Sequence, residues 1–214
     1  MFTKYRNIAI ASFNLVVAGP VLVKSGKSNK IDPTLPDSSF VRGIYEGKMT
    51  LVIPGSTIKG VIRSRVHDIN SSIVDGLFGK AGDKPQKGKI GFHDAYAIPE
   101  SVVTNIRYNT KIDNKLQSAA KGTLRTLEVA EQGVFDAGFR LINYEEAELK
   151  LILKALSDVD TGLVRFGGGK SRGFGMMKVE NFHININEGF DKDFRVRNEK
   201  SFSTLDFALN SLKG

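Results

Sequence analysis

The sequence contains no cysteine and only three histidines among its 214 residues. The absence of cysteine excludes disulfides, zinc thiolate sites and cysteine nucleophiles, and it fits a cytoplasmic protein. His67, His93 and His183 lie far apart and form no HxxxH or HExxH pattern. This spacing gives no support for a zinc site or a serine-type catalytic triad, and it predicts packing or surface roles for the three side chains.

Long apolar runs are also absent from the sequence. No stretch approaches the roughly 18 apolar residues that a membrane-spanning helix requires. The first residues interleave charged and apolar side chains and show no hydrophobic region followed by a cleavage site. We therefore expect no signal peptide and no membrane partner.

Positive charge is in excess along the chain. Lys and Arg number 31 against 23 Asp and Glu, which gives a net charge of +8 and a pI near 9.6. This balance favours a polyanionic partner, because each cation placed against a phosphate releases condensed counterions. The length allows either one core with insertions or two small domains, and we predict a single domain over residues 1–214.

The stretch FGGGKSRGFG, from Phe166 to Gly175, contains five glycines in ten residues. Glycine permits positive φ and close backbone approach, and freed N–H groups in such a loop can form an anion-binding concavity flanked by Lys170 and Arg172. The pattern is neither GxxxxGK[ST] nor a GxGxxG that leads into a helix, so it does not predict a nucleotide triphosphate site. The alternative interpretation is a mobile, solvated loop.

A second basic segment follows the apolar strand predicted from Met49 to Ile53. After Pro54-Gly55, either Ser56 or Thr57 is predicted to cap a helix. Its apolar residues recur at helical spacing: Ile58, Val61, Ile62, Val66 and Ile69. Its polar face carries Lys59, Arg63 and Arg65. This face is interpreted either as a phosphate-binding helix terminus or as an ordinary solvated surface.

The remaining pattern completes an alternating order of strands and helices. Further strands are predicted at Tyr5 to Ala18, Lys89 to Tyr96, Val134 to Asn143 and Met176 to Ile186, and further helices at Glu145 to Leu156 and from Thr204 onward. Ile106 to Gly133 has few large apolar residues, so we expect it to be either disordered or an arm that orders on a partner. The order β-α-β-β-α-β predicts an α+β, ferredoxin-like fold, the topology of RNA-recognition modules.

Several segments resemble the RAMP superfamily, and within it the repeated backbone subunits of type III CRISPR effector complexes. The matching segments are IPGSTIKGVIRS (Ile53 to Ser64), LFGKAGDKPQKGKIGFHDAY (Leu77 to Tyr96), NTKIDNKLQSAAKGTLRTLEVAEQGVF (Asn109 to Phe135) and FGGGKSRGFG. The resemblance implies a modified RNA-recognition-like domain with a thumb-like insertion at about 97–133 and a C-terminal extension at about 188–214.

In that family, copies of the subunit stack as a filament along a CRISPR RNA, together with other subunits of the complex. The helix after IPGS and the glycine-rich loop contact the guide backbone, and the thumb lies between segments of guide and target RNA. Carried onto this sequence, the resemblance and the charge pattern together imply RNA contacts at Ser56, Lys59, Arg63, Lys111, Lys115, Arg125, Gly168, Gly169, Lys170 and Arg172.

The resemblance also implies cleavage of target RNA by metal-dependent transesterification. Family members use an aspartate in the loop after the first strand, and its place favours Asp37 over Asp32 here. Asp37 would hold Mg²⁺ or another divalent cation, or position the attacking 2′-OH, once target RNA supplies further oxygen ligands. The alternatives are a non-catalytic RNA-binding scaffold, in which Asp37 caps a turn, and a guide-processing endonuclease that relies on a histidine such as His67.

Overall fold

The protein was analysed as a computed structural model that describes residues 5–26, 35–113, 115–190 and 196–212. The strands in these ranges are β1 (Asn7–Val17), β2 (Arg42–Tyr45), β3 (Lys48–Ile53), β4 (Gly79–Lys80), β5 (Gln86–Lys87), β6 (Ile90–Phe92), β7 (Ala95–Ala97), β8 (Val103–Asn109), β9 (Ile112–Asp113), β10 (Ser118–Ala119), β11 (Arg125–Gln132), β12 (Val134–Ile142), β13 (Met177–Phe190) and β14 (Val196–Phe202). The helices are α1 (Gly55–Ile69), α2 (Val74–Phe78), α3 (Glu146–Asp160) and α4 (Leu205–Ser211).

The main sheet is antiparallel, with the strand order β14-β13-β1-β12-β7-β3-β2, and β6 also pairs with β12. The central strand β1 pairs with β12 on one side and with β13 on the other. Helix α3 connects β12 to β13 and crosses over β1, which lies between them. Helix α1 follows β3 and leads to β6 and β7, which both pair with β12. This arrangement confirms the predicted α+β, ferredoxin-like core.

The core lies between one face of this sheet and helices α1 and α3. Strand β1 alternates, so Ala9, Ala11, Phe13 and Leu15 are buried while the residues between them are more exposed. The helices contribute residues at helical spacing to the same cluster: Ile58, Ile62 and Val66 from α1, and Leu149, Ile152, Leu153 and Leu156 from α3. Apolar residues thus recur about every second residue in the strand and about every 3.6 residues in the helices. Each element therefore has one apolar face, and these faces pack together as two layers.

The start of α1 differs from the sequence prediction. Neither Ser56 nor Thr57 caps the helix: the N-cap position is Pro54, without a side-chain cap. Instead, the backbone N–H of Gly55 donates to the carboxylate of Asp94 over 2.7 Å. Asp94 lies between β6 and β7, where the predicted continuous strand Lys89 to Tyr96 is interrupted. The exposed carboxylate of Asp94 thus satisfies one of the free N–H donors at the helix terminus.

The segment Ile106 to Gly133 is not disordered in its described part. Strands β8 and β11 pair antiparallel, from Arg125 opposite Asn109 to Gln132 opposite Val103. The few apolar residues of this segment are concentrated in β11, where Leu127 and Val129 are buried beside Leu22 in a small second cluster. The low apolar content of the whole segment does not reveal that its apolar residues are concentrated in one strand. We call this unit the β8–β11 hairpin, and it lies within the predicted insertion at about 97–133.

The C-terminal part adds strand β14 to the sheet edge and packs α4 against α3. Thr204 caps α4, since its hydroxyl accepts a hydrogen bond from the Phe207 N–H over 3.3 Å. The predicted terminal helix from Thr204 is therefore confirmed, whereas β2 and β14 were not predicted from the sequence. In the ranges that the structure describes, no helix has both the length and the apolar character needed to cross a membrane.

Candidate functional site

The glycine-rich loop packs against the chain that follows β1. The Gly168 N–H donates to the Leu22 carbonyl over 2.8 Å, and the Gly175 N–H donates to the Pro20 carbonyl over 2.7 Å. Gly167 has φ +72°, and a Cβ added there would lie 2.0 Å from the Leu22 carbonyl oxygen. The prediction that the loop frees its N–H groups for an anion is therefore wrong for Gly168. The glycines allow the loop backbone to pack closely against the backbone of Pro20 and Leu22.

The cations of this loop point outward. Lys170 and Arg172 form a short 3₁₀ turn after Gly169, and both are exposed. Gly169 has φ +75°, and its carbonyl accepts the Arg172 N–H over 2.8 Å, which closes the turn. The guanidinium of Arg165 donates to the Lys170 carbonyl over 3.3 Å. The loop thus presents two positive side chains from a backbone that is held by internal hydrogen bonds.

Arg172 also connects the loop to the β8–β11 hairpin. With the Asn109 amide oriented so that its oxygen faces the loop, Arg172 Nη1 donates to that oxygen over 3.0 Å. Asn109 lies at the end of β8, directly opposite Arg125 of β11. The glycine-rich loop and the β8–β11 hairpin therefore meet at Asn109 and Arg172, and Arg125 lies on the strand next to Asn109.

Asp37 lies against the same strand. The Thr126 backbone N–H and the Thr126 hydroxyl both donate to Asp37 Oδ2, over 2.7 Å and 3.0 Å. In return, the Asp37 backbone N–H donates to the Thr126 hydroxyl over 2.9 Å. Asp37 is exposed, and within the described residues its other oxygen, Oδ1, accepts no hydrogen bond. We call Asp37, Asn109, Arg125 and Arg172 the junction.

The electrostatics of the junction keep Asp37 ionised. The hydrogen bonds from the Thr126 backbone and hydroxyl, followed by the positive charge of Arg125, hold the pKa of Asp37 below its ordinary value. A carboxylate that accepts backbone and hydroxyl hydrogen bonds favours its charged form. Oδ1 is therefore a negatively charged oxygen ligand close to the positive charge of Arg125.

The loop that carries Asp37 is fixed to β11 beyond Thr126. The Ser38 N–H donates to the Thr126 carbonyl over 3.2 Å, and the Glu128 N–H donates to the Ser38 carbonyl over 2.9 Å. The Glu128 carboxylate accepts the Phe40 N–H over 3.0 Å and pairs with the Arg42 guanidinium. Burial raises the pKa of Glu128, but these hydrogen bonds outweigh it and leave the pKa below its ordinary value.

The predicted contacts on α1 have other surroundings. Ser56 is exposed, and Lys59 is half-buried. Arg63 donates to the Asp75 carboxylate and to the Gly79 carbonyl, each over 3.2 Å, so an incoming phosphate would compete with these groups. Arg65 donates to the buried Asp158 of α3 over 2.7 Å. This interaction stabilises the packing of α1 on α3, and it explains one part of the basic helix face without RNA.

The two lysines predicted in the arm are exposed on the hairpin. The Lys111 N–H donates to the Thr123 hydroxyl over 3.2 Å, and Lys115 lies in the turn between β9 and β10. Both therefore lie on the unit that includes Arg125. Asp32, the weaker of the two candidate aspartates, lies outside the described residues.

The structure shows no dedicated metal cage in the described ranges, where no three His, Asp or Glu side chains are grouped to hold an ion. His67, His93 and His183 are all exposed. Asp37 is a single carboxylate whose Oδ1 accepts no hydrogen bond from the part of the chain that the structure describes. This fits Mg²⁺ held by one protein carboxylate, waters and substrate phosphates. The sequence analysis did not predict a role for Thr126, Asn109 or Glu128, because their spacing in the sequence does not indicate which residues they contact.

The chain is similar in sequence to one protein family and in fold to several solved structures. The family model described as the RAMP superfamily matches residues 17–178. No curated protein sequence matches the chain. Among solved structures, a chain of a Csm3–Csm4 subcomplex in a type III-A CRISPR-Cas interference complex is 17% identical, with a TM-score of 0.61, over 98% of this chain and 96% of that one.

Two further structures share the fold. A chain of a CRISPR RNA-guided surveillance complex is 14% identical, with a TM-score of 0.58, over 84% of this chain and 68% of that one. A chain of a type III-B Cmr-beta complex bound to cognate target RNA is 16% identical, with a TM-score of 0.59, over 83% and 61%. At these identities, the likeness shows a common fold.

Proposed function

Because the chain belongs to the RAMP superfamily, we propose that it is a guide-RNA-binding subunit of a type III CRISPR interference complex and that it cuts target RNA. Similar chains occur in a type III-A interference complex and in a type III-B complex bound to target RNA. The net charge of +8 agrees with a long phosphate backbone as partner. The proposed partners are a CRISPR RNA, a target RNA, further copies of this chain and other subunits.

The junction is the observation that carries this proposal. It combines an exposed carboxylate oxygen on Asp37 with the guanidinium groups of Arg125 and Arg172, on three segments that interact with one another. A folded core requires neither exposed cations nor a free carboxylate oxygen at such a place. Cations that contact phosphates position an RNA, and a nearby carboxylate can then act on one of its linkages.

The reaction that fits this arrangement is transesterification. The 2′-oxygen of the target nucleotide attacks the adjacent phosphorus and loses its proton, the bond to the 5′-oxygen breaks, and that oxygen takes up a proton. The products are a 2′,3′-cyclic phosphate and a 5′-hydroxyl. Asp37 Oδ1 either holds a divalent cation or positions the 2′-OH, while Arg125 and Arg172 bind phosphates. Mg²⁺, when bound, would supply positive charge to the scissile phosphate.

The test is cleavage of a guide-complementary RNA by the reconstituted complex. Asp37→Asn retains an acceptor for Thr126 but removes the negative charge, so it separates chemistry from loop structure. We expect cutting to fall by about 10²- to 10⁴-fold with guide and target binding unchanged. Asp136→Asn, at an exposed aspartate of β12, is the matched control. Asp32→Ala should also cut nearly normally, and a chelator should reproduce the effect of Asp37→Asn.

A second candidate function is a non-catalytic scaffold. It is favoured by the three hydrogen bonds between Asp37 and Thr126, which already give the aspartate a structural role. Absence of cutting by the wild-type complex, with target still bound, would support the scaffold. Undiminished metal-dependent cutting by Asp37→Asn would instead move the catalytic group elsewhere.

A further inference from the structure

Asp37 of the junction makes three hydrogen bonds with Thr126. The proposed reaction assigns no role to Thr126. We infer that Thr126 is a positioning residue: it holds Oδ2 of Asp37, leaves Oδ1 free for the reaction, and fixes the carboxylate to the β8–β11 hairpin. This inference rests on the proposed cleavage function. It predicts a residue that affects catalysis without touching substrate.

Asp37 and Thr126 are joined through both their side chains and their backbones. Thr126 donates twice to the same oxygen of Asp37, through its N–H and its hydroxyl, and its hydroxyl also accepts the Asp37 N–H. These three hydrogen bonds span side chain and backbone on both partners. They leave the carboxylate one orientation in which Oδ2 is satisfied, so Oδ1 faces away from Thr126.

Thr126 is itself held in the β8–β11 hairpin. Thr126 pairs with Tyr108 of β8, and the next residues of β11, Leu127 to Ala130, are buried. Two residues farther along, Glu128 holds the same loop through the Phe40 N–H and Arg42. The segment that carries Asp37 is therefore fixed to the hairpin at two points, Thr126 and Glu128.

The position of the carboxylate matters for the rate of the proposed reaction. A displacement of a reacting group by about 1 Å can cost on the order of 10² in rate, because reacting atoms must be held in near-attack geometry. A carboxylate on a loop without such a support would sample several rotamers. A hairpin that contacts RNA and also holds the carboxylate would place Asp37 relative to the bound strand.

The variants Thr126→Val and Thr126→Ser separate positioning from general stability. Valine has a similar shape and suits a strand, but it removes the hydroxyl and thus two of the three hydrogen bonds. Serine restores both. In reconstituted complexes with saturating target RNA, we expect Thr126→Val to cut about 10²-fold more slowly at unchanged target Kd, and Thr126→Ser to cut nearly as the wild type.

A second readout does not depend on activity. In the isolated full-length chain, NMR should show the Asp37 amide exchanging with solvent faster in Thr126→Val than in the wild type, because its acceptor is lost. The Asp37 χ1 couplings should report one rotamer in the wild type and in Thr126→Ser, and an average in Thr126→Val. Normal χ1 couplings in Thr126→Val would overturn the inference even if that variant failed to assemble.

The outcomes distinguish this inference from the proposed function. If Asp37→Asn cuts normally, the proposed catalytic role fails. If Asp37→Asn is inactive but Thr126→Val cuts like the wild type, only the positioning role fails. Equal slowing by Thr126→Val and Thr126→Ser would also overturn it, because serine keeps the hydroxyl.

Discussion

Glu128 shows how a single buried side chain fixes the loop that carries Asp37. It is only 7% exposed, and it accepts hydrogen bonds from Arg42 and from the Phe40 N–H. Glu128→Gln leaves Arg42 with a neutral partner, and we expect a loss of about 2 kcal/mol of unfolding free energy at pH 7. Urea denaturation measures this loss. The control is Glu131→Gln in the same strand, where the pair with the more exposed Arg107 should contribute less than about 1 kcal/mol.

The pH dependence of the same variant follows from the lowered pKa of Glu128. A carboxylate whose pKa is lower in the folded state stabilises the fold above its unfolded pKa, about 4.3, and loses that contribution as pH falls through the folded pKa. The stability difference between the wild type and Glu128→Gln should therefore be full at pH 7 and shrink below about pH 4. A difference that stays constant down to acid unfolding would contradict this explanation.

At the residue scale, sequence reasoning reached Asp37 but not its partner. Asp37 is favoured over Asp32 because the family that the sequence resembles has an aspartate at this place in the loop. Thr126 lies 89 positions away, and threonine in a strand is too common to indicate a specific contact. The contact depends on where β11 lies in the fold, and single-sequence patterns do not contain that information.

The glycine-rich loop provides a test at the scale of one element. Gly167 and Gly173 both have positive φ, +72° and +87°, so alanine at either position should cost about 1 kcal/mol of backbone strain. Only Gly167 faces another backbone, with the Leu22 carbonyl 2.0 Å from an added Cβ, while Gly173 has nothing within 4 Å. We expect Gly167→Ala to lower the unfolding free energy by at least about 2 kcal/mol more than Gly173→Ala.

Chemical denaturation of both variants checks this expectation, and RNA binding gives an independent comparison. If close packing on Pro20 to Leu22 orients the cations, Gly167→Ala should also weaken RNA binding, while Gly173→Ala should affect it less. Equal stability of the two variants would indicate that the loop does not pack as described. It would then favour the alternative interpretation of a mobile loop.

Among the elements, periodic segments were predicted well and the β8–β11 hairpin was not. Helix α3 could be predicted from its apolar spacing, although it continues four residues beyond Leu156 to Asp160. The extension includes Asp158, which is fully buried and pairs with Arg65 and Lys154. In the sequence, the charged residues after Leu156 indicate that the helix ends there. The helix continues because Asp158 is paired with cations in the folded structure.

At the scale of the whole molecule, the sequence predicted the ferredoxin-like succession of strands and helices but not how the cations are distributed. The sequence predicts RNA contacts at Arg63, Arg125 and Arg172 alike. In the structure, Arg172 and Arg125 belong to the junction, whereas Arg63 interacts with the segment Asp75 to Gly79 and Arg65 with Asp158. Charge counts depend on composition alone, but which cations remain exposed depends on folding.

The salt dependence of RNA binding tests whether the exposed cations of the glycine-rich loop contact phosphate. Replacing Lys170 and Arg172 together with alanine should weaken binding of the reconstituted chain to guide RNA. It should also reduce the slope of log K against log salt by about one to two units, because each lost phosphate contact removes a little under one released counterion. The measurement is a titration at several salt concentrations with single-stranded RNA.

The control must remove the same charge from another surface. Lys150 on α3 and Lys200 on β14 lie on different elements from the loop, and their joint replacement by alanine lowers the net charge by the same amount. If only net charge governs binding, the two double variants will show the same slope. If the loop contacts the RNA backbone, only the Lys170 and Arg172 variant will lose slope, because counterion release reports local contacts and long-range attraction is screened within about 8–10 Å at these salt concentrations.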